Sequence, residues 1–212
     1  MSAPNVLKLP RKIRDRIFEM VLRVPHPIYL FQEMEELVEA FAPEKPIQWL
    51  AMLYTSKQLG TEASAVLYGR NKFSLLETTP KEKILLKTFL HGIGLVNASS
   101  ISHMCISFPS LDSQADYSQF REDSAEILAL LREKCTRLKA LELLMHSKNC
   151  GGWTSTTENT IDNIGGALPY IDRQLNTING RIQISVRVYS GTLHPLVSAT
   201  MQDLGWLILA RE

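Results

Sequence analysis

Ile182, Ile184, Val186 and Val188 alternate strictly with Gln183, Ser185, Arg187 and Tyr189. Successive side chains of a strand point to opposite faces, so this period of two defines a strand with one apolar face. Two segments upstream have the same character. Residues 101–108 alternate as well, and residues 141–145 form a continuous apolar run of the kind seen in strands covered on both faces. The strand starts near 101, 140 and 182 are about 39 and 42 residues apart, with helical patterns between them. Strands that alternate with helices at this spacing imply parallel pairing through right-handed crossovers.

The intervening segments complete the pattern. Residues 73–76 read as a short strand, and residues 81–93 as a helix with Ile84, Leu85, Thr88, Phe89 and Ile93 on one side. Residues 120–138 carry Ile127, Leu128, Leu130 and Leu131 at helical spacing. Residues 148–157 read as a polar, glycine-containing loop. Residues 159–178 read as a helix weakened by Gly165, Gly166 and Pro169, and residues 194–209 as a last helix opening near Pro195. The expected fold class is therefore mixed α/β, with residues 71–209 as four β-α units. Helices on one side would make an open, curved array like a short leucine-rich-repeat segment; helices on both sides would make a doubly wound sheet.

Residues 1–70 read differently. A first helix opens at Pro10, whose missing N–H costs nothing in a first turn. Ile13, Ile17, Met20 and Val21 mark its expected apolar face, and Pro25 and Pro27 end it near Arg23. Residues 24–46 form an acidic insert, with a short amphipathic helix expected over 31–41 from Phe31, Met34, Leu37, Val38 and Phe41. Two helices follow, the first around Trp49, Leu50 and Leu53, the second carrying Leu59, Ala63, Val66 and Leu67. Thr55 and Ser56 can cap the second, and Gly69 and Asn71 supply its stop. The organisation expected is a helical module over 1–70 with its insert at 24–46, and a β-α region over 71–212 packed with it as one unit.

Composition excludes several function classes. Lys and Arg number 23 against 22 Asp and Glu, a net charge of +1 that offers no general attraction to polyanions. Hydrophobic residues make up 45%, too many for a disordered chain. Cys105, Cys135 and Cys150 show no paired spacing, and no signal peptide or 20-residue apolar run is visible. An intracellular location, cytoplasmic or nuclear, is expected. The charge is uneven, however. Lys8, Arg11, Lys12, Arg14 and Arg16 crowd the first segment, whereas Glu33, Glu35, Glu36, Glu39 and Glu44 load the insert. The basic run reads as a solvated helix face, with attraction to an acidic partner or pairing with the insert as alternatives.

Motifs for chemistry are missing. His26, His91, His103, His146 and His194 are scattered without metal-ligand spacing, so no metal and no cofactor are expected. His103 and Cys105 share a strand face and read as ordinary sheet residues. Gly92-Ile93-Gly94 follows a helix, the wrong context for a phosphate loop, and reads as a C-cap. Cys105 and Cys135 read as packing residues. Asp112, Asp116, Glu122 and Asp123 suit a helix N-terminus. No catalytic residue is assigned.

Two blocks resemble a family. Leu9-Pro10-Arg11-Lys12-Ile13-Arg14-Asp15-Arg16-Ile17-Phe18-Glu19-Met20-Val21-Leu22 resembles the opening helix of F-box-like proteins of filamentous fungi. Leu53, Thr55, Lys57-Gln58-Leu59, Glu62-Ala63, Val66-Leu67-Tyr68-Gly69, Asn71 and Phe73 resemble that group's second block. The resemblance implies a three-helix module that docks on a Skp-type adaptor of a cullin–RING ubiquitin ligase, followed by a region that selects a client protein. Leu9, Pro10, Ile13, Ile17 and Leu53 are the adaptor contacts it implies, with the module's own core as the other role open to them. The expected function is thus a non-enzymatic interaction adaptor, a substrate receptor in ubiquitin transfer, with neither membrane nor nucleic acid as partner. The insert and Lys12, where that family commonly carries an acidic residue, motivate a second reading: a scaffold or interaction protein outside ubiquitin transfer, whose helices close the end of the β-α array. A third is a small α/β enzyme with Asp112, His146 and Tyr189 at the strand ends.

Overall fold

The computed structural model describes residues 6–34, 37–46, 48–75, 81–112, 119–146, 153, 158–180, 182–189 and 191–209. In chain order the elements are α1 (Arg11–Leu22), β1 (Ile28–Met34), β2 (Leu37–Phe41), α2 (Lys57–Arg70), β3 (Lys72–Leu75), α3 (Lys81–Ser100), β4 (His103–Ser107), α4 (Glu122–Lys134), β5 (Ala140–Met145), α5 (Glu158–Asn176), β6 (Gln183–Val188), α6 (Pro195–Asp203) and β7 (Leu207–Leu209). Short 3-10 turns at Val6–Lys8 and Ala51–Tyr54 precede α1 and α2.

All seven strands form one sheet in the order β2-β1-β3-β4-β5-β6-β7. Every pair is parallel except β1 with β2. From β3 onward each strand lies beside its predecessor in sequence, so right-handed crossovers put the connecting helices on one face. That face is the core. Phe73, Leu75, Met104, Ile106, Leu141, Leu143, Ile184 and Val186 meet Leu85, Leu86, Phe89, Leu131, Leu168, Ile171, Leu175 and Met201 in one buried cluster that also takes in Phe18 and Leu22. The α/β class holds, and the single-sided, array-like arrangement is the one realised.

On the open face, burial holds the Tyr189 hydroxyl above its ordinary range, against the opposing charge of Arg187.

Four expectations need correction. The helix expected over 31–41 is a hairpin, β1 with β2. Its apolar residues satisfy a helical period, but Pro25 and Pro27 deliver the chain extended, and Ile28-Tyr29-Leu30-Phe31 is rich in strand formers that pair with β3. The helix expected around Trp49, Leu50 and Leu53 is only the turn Ala51–Tyr54, packed so tightly on α2 that a Cβ at Gly60 would sit 2.5 Å from the Leu53 carbonyl oxygen. The last helix stops at Asp203. Gly205 takes φ 82°, a conformation open to glycine, and turns the chain into β7 alongside β6. The helix expected over 81–93 kinks at Gly94 (φ 77°) and continues to Ser100. The 148–157 loop lies outside the described residues except for Trp153, which is buried against Phe108.

Asn71 ties the N-terminal segment to the array. Its Oδ1 accepts the Val24 N–H at 2.9 Å, and its Nδ2 donates to the carbonyls of Leu22 and Leu67, each at 2.9 Å. One buried carboxamide thus satisfies the ends of α1 and α2 where β1 and β3 begin. Asn71→Ala strands these backbone groups away from water, and a stranded group costs roughly 1–3 kcal/mol. A loss of about 3 kcal/mol is expected, read as a fall in melting temperature of roughly 6–12 °C for a chain of this size; an unchanged melting temperature would refute the role.

Candidate functional site

Two surfaces merit description, the outer side of α1 and the open sheet face. The first is set by a buried ion pair. Arg14 Nε donates to Glu62 Oε2 at 2.7 Å and Nη2 to Oε1 at 2.6 Å, a two-pronged grip from α1 to α2. Nη1 donates to the Leu9 carbonyl at 2.5 Å, fixing the chain just ahead of the helix. Gln58 and Arg11 also approach Glu62. The hydrogen bonds from Arg14 hold the Glu62 carboxyl down at about 2, and the same contact raises the Arg14 guanidinium.

This pair rotates α1 away from its expected orientation. The buried stripe is Arg14, Phe18 and Leu22, at i, i+4 and i+8. Ile13 is 48% exposed and Met20 66%. The expected face of Ile13, Ile17, Met20 and Val21 is therefore not the buried one: Arg14 lies inside through its pairing with Glu62, and Ile13 and Met20 face outward. Of the five adaptor candidates, Leu9, Pro10 and Ile13 are exposed and Ile17 is half-buried on α1. Leu53 is apart from them. It packs on the core and lines a groove of about 640 Å³ with Tyr54, Gly60, Ser64 and Val96, which none of the other four reaches.

On the open face, the strand register brings Tyr29, Ser74, Cys105, Glu142, Ser185 and Leu207 into one row across six strands. A second row holds Lys72, His103, Ala140 and Gln183. Glu142 is the centre. Its Oε2 accepts Lys72 Nζ at 2.8 Å and its Oε1 accepts Arg187 Nε at 2.5 Å. Burial pushes the Glu142 carboxyl up, but these two cations outweigh it and leave it below its ordinary range. Burial likewise opposes the charge on Lys72, and Glu142 more than restores it. His103 is depressed by burial and by Lys72 and Lys139. A cavity of about 210 Å³ opens beside this cluster, bordered by Lys72, His103, Gln183, Leu207 and Leu209.

The chemical candidates fare differently. His103 and Cys105 do share the open face, but burial pushes the Cys105 thiol, like that of Cys135, to about 12, so neither is a nucleophile near neutrality. His146 and Tyr189 stack with ring centroids 4.7 Å apart, whereas Asp112 lies in a separate bridge between Leu111 and Phe120, its N–H bound to the Gln119 carbonyl. Glu122 and Asp123 occupy the first turn of α4, and Asp123 pairs with Lys83 of α3 at 3.0 Å; Asp116 lies outside the described residues. Among the described residues no group of three His, Cys, Asp or Glu could hold a metal ion, and no helix is long and apolar enough to cross a membrane. The strand order runs without reversal from β3 to β7 and turns back once, at β1, whose hairpin partner β2 lies on the side away from β3.

Comparison with family models, with curated proteins and with solved structures finds no match.

The paired carboxylate gives acid stability a defined window. Glu62 titrates near 2 when folded and near 4.5 when free, so the unfolded chain binds the proton first as pH falls. Its contribution is complete above about pH 4.5 and is lost as pH falls toward 2. Denaturant midpoints measured from pH 6 to pH 2 should decline through this window. Glu62→Gln, weaker at neutral pH, should decline less steeply; an equal slope would show that Glu62 is not the titrating group.

Proposed function

We propose that this chain is a non-enzymatic interaction adaptor whose first helix docks on a Skp-type adaptor and whose open sheet face receives a client protein. The observation that carries this reading is the orientation of α1. Leu9, Pro10 and Ile13 stand outward at the start of the helix while Arg14, Phe18 and Leu22 fill the inside. An exposed apolar stripe on a helix held rigidly by a buried ion pair is a preformed docking element, and protein interfaces place such residues at their centre. The residues behind the family resemblance support the same division. Glu62, Ala63, Val66, Leu67, Asn71 and Phe73 are all buried, so the second block encodes the junction between helices and sheet, leaving the Leu9–Ile13 side for a partner. The high thiols of Cys105 and Cys135 favour binding over nucleophilic catalysis.

The test is titration calorimetry or pull-down with a purified Skp-type adaptor. Wild type should bind, and Ile13→Asp, an exposed position, should weaken binding at least tenfold, about 1.4 kcal/mol, with an unchanged melting curve. No binding by folded wild type would end this reading.

A second reading, a scaffold outside ubiquitin transfer whose helices close the array, has its own observation. β1 lies inside the sheet between β2 and β3, so residues 1–70 supply two of the seven strands together with α1 and α2. A fragment of residues 71–212 should then lack a cooperative thermal transition by circular dichroism. A stable, cooperatively melting fragment would count against that reading.

A further inference from the structure

Among the described residues, β2 is an edge strand that carries both exposed apolar side chains and a carboxylate. Leu37 is 65% exposed and Phe41 56%. β2 pairs with β1 alone, so alternate backbone N–H and C=O groups along its other edge have no strand partner. Leu37, Glu39 and Phe41 alternate onto one face, which is the open face because Phe41 pairs with Tyr29 and Glu39 with Phe31.

The charge around this edge has one sign. Residues 24–44 contain Glu33, Glu35, Glu36, Glu39 and Glu44 and no Lys, Arg or Asp. Among the described residues, none of the ion pairs engages Glu33, Glu39 or Glu44. The next cation, Lys45, is turned away: its Nζ donates to the Val21 carbonyl at 2.7 Å and lies over the Trp49 ring.

We infer that the outer edge of β2 accepts an extended segment of a partner protein, in which apolar residues alternate with Lys or Arg, as an added strand. Backbone pairing with the free edge gives the attachment, apolar side chains cover Leu37 and Phe41, and cations meet Glu39 and its neighbours. Edge strands commonly carry Lys to repel such additions; this one carries Glu and so selects a basic strand. The same charge disfavours a second copy of this chain. Two β2 strands paired antiparallel about their midpoint set Glu39 against Glu39, and like charges directly opposite are destabilising. The bulge between Phe31 and Met34 and the proline at Pro43 confine the edge to about five residues, which sets the length of the added strand. This surface is distinct from the Leu9–Ile13 side of α1 and stands whether or not a Skp-type adaptor binds there.

The probe is a fluorescein-labelled, N-acetylated Lys-Val-Lys-Val-Lys-Val-Lys amide, titrated into the full chain by anisotropy. Saturable binding is expected, weakened at least tenfold when every internal amide of the peptide is N-methylated, and at least tenfold by Glu39→Lys. Hydrogen exchange at residues 37–41 should slow when the peptide is added. Equal affinity for the N-methylated peptide, or protection confined to other strands, would overturn the inference in favour of diffuse charge attraction. No binding would overturn it outright. Protection of 37–41 that grows with protein concentration alone would also overturn it, by assigning the edge to a second copy. Since the N-methylated peptide is tested on wild type, the conclusion does not depend on how Glu39→Lys folds.

Discussion

The Arg14–Glu62 pair decides which way the first helix faces, and the N-terminal architecture depends on that orientation. A guanidinium withdrawn from water is costly unless its charge and its donors are met. Here they are met three times over, by both carboxylate oxygens of Glu62 and by the Leu9 carbonyl. With Arg14 anchored inward, helical geometry sends Phe18 and Leu22 into the core one and two turns later. It also leaves Ile13 and Met20 outside. A buried ion pair need not add net stability compared with well-packed apolar residues, but its geometry can specify one packing among several. In α1 the alternative packing is visible in the sequence itself, since Ile13, Ile17, Met20 and Val21 would serve as an apolar face if the helix were rotated.

The sheet carries a comparable constraint at its open face. Sequential strand order covers one side with helices and leaves the other to be finished by its own side chains. Glu142 does this with Lys72 and Arg187, one carboxylate bridging cations from strands on either side of it. Because β4 lies between β3 and β5, the Lys72 side chain must reach across a strand, from its own row to the one that holds Ser74, Cys105 and Glu142. The long lysine stem can span that gap while its ammonium stays paired. The pairing buries Glu142 without leaving its charge unmet.

Much of this was legible in the sequence where local period and burial agree. β4, β5 and β6 fall where alternation or a continuous apolar run placed them, Ser56 caps α2 through the Leu59 N–H as expected, and Pro195 opens α6. The failures share one cause. In α1, in the 28–41 hairpin and at β7, the decisive partner is distant in sequence: Glu62 for Arg14, β3 for β1, β6 for β7. Phe31, Met34, Leu37, Val38 and Phe41 satisfy a helical period by their spacing, and only the available edge of β3 makes them strands. The candidate site divides the same way. Leu9, Pro10 and Ile13 are exposed at the start of α1, but Leu53 opens on a different groove. Met20 was placed in the core although it is the most exposed apolar residue of α1. A signal for the rotation was present: Arg14 lies four residues before Phe18 and eight before Leu22, a stripe that makes sense once a buried carboxylate is available to meet the arginine.

The two opposed charge segments also change meaning in the folded chain. Read along the sequence, the basic run of the first segment is a solvated helix face, with an acidic partner or the acidic insert as its alternative counterparts. In the fold, three of the basic residues are met by carboxylates of the helices: Arg11 by Asp15 and Glu62, Arg14 by Glu62, and Arg16 by Glu19. None of these pairs reaches the insert. Exposed pairs such as Arg16 with Glu19 contribute little to stability, yet each lowers the local field that a partner would feel. The insert has no such compensation among the described ion pairs, and Glu33 and Glu39 are exposed on the terminal hairpin of the sheet. Within the Debye length of about 8 Å at physiological salt, a partner approaching α1 meets a largely neutralised apolar helix, whereas one approaching β2 meets negative charge beside open backbone groups. A net charge near zero therefore conceals an uneven distribution, with most cations of the first segment paired within the helices and the described glutamates of the insert outside the ion pairs.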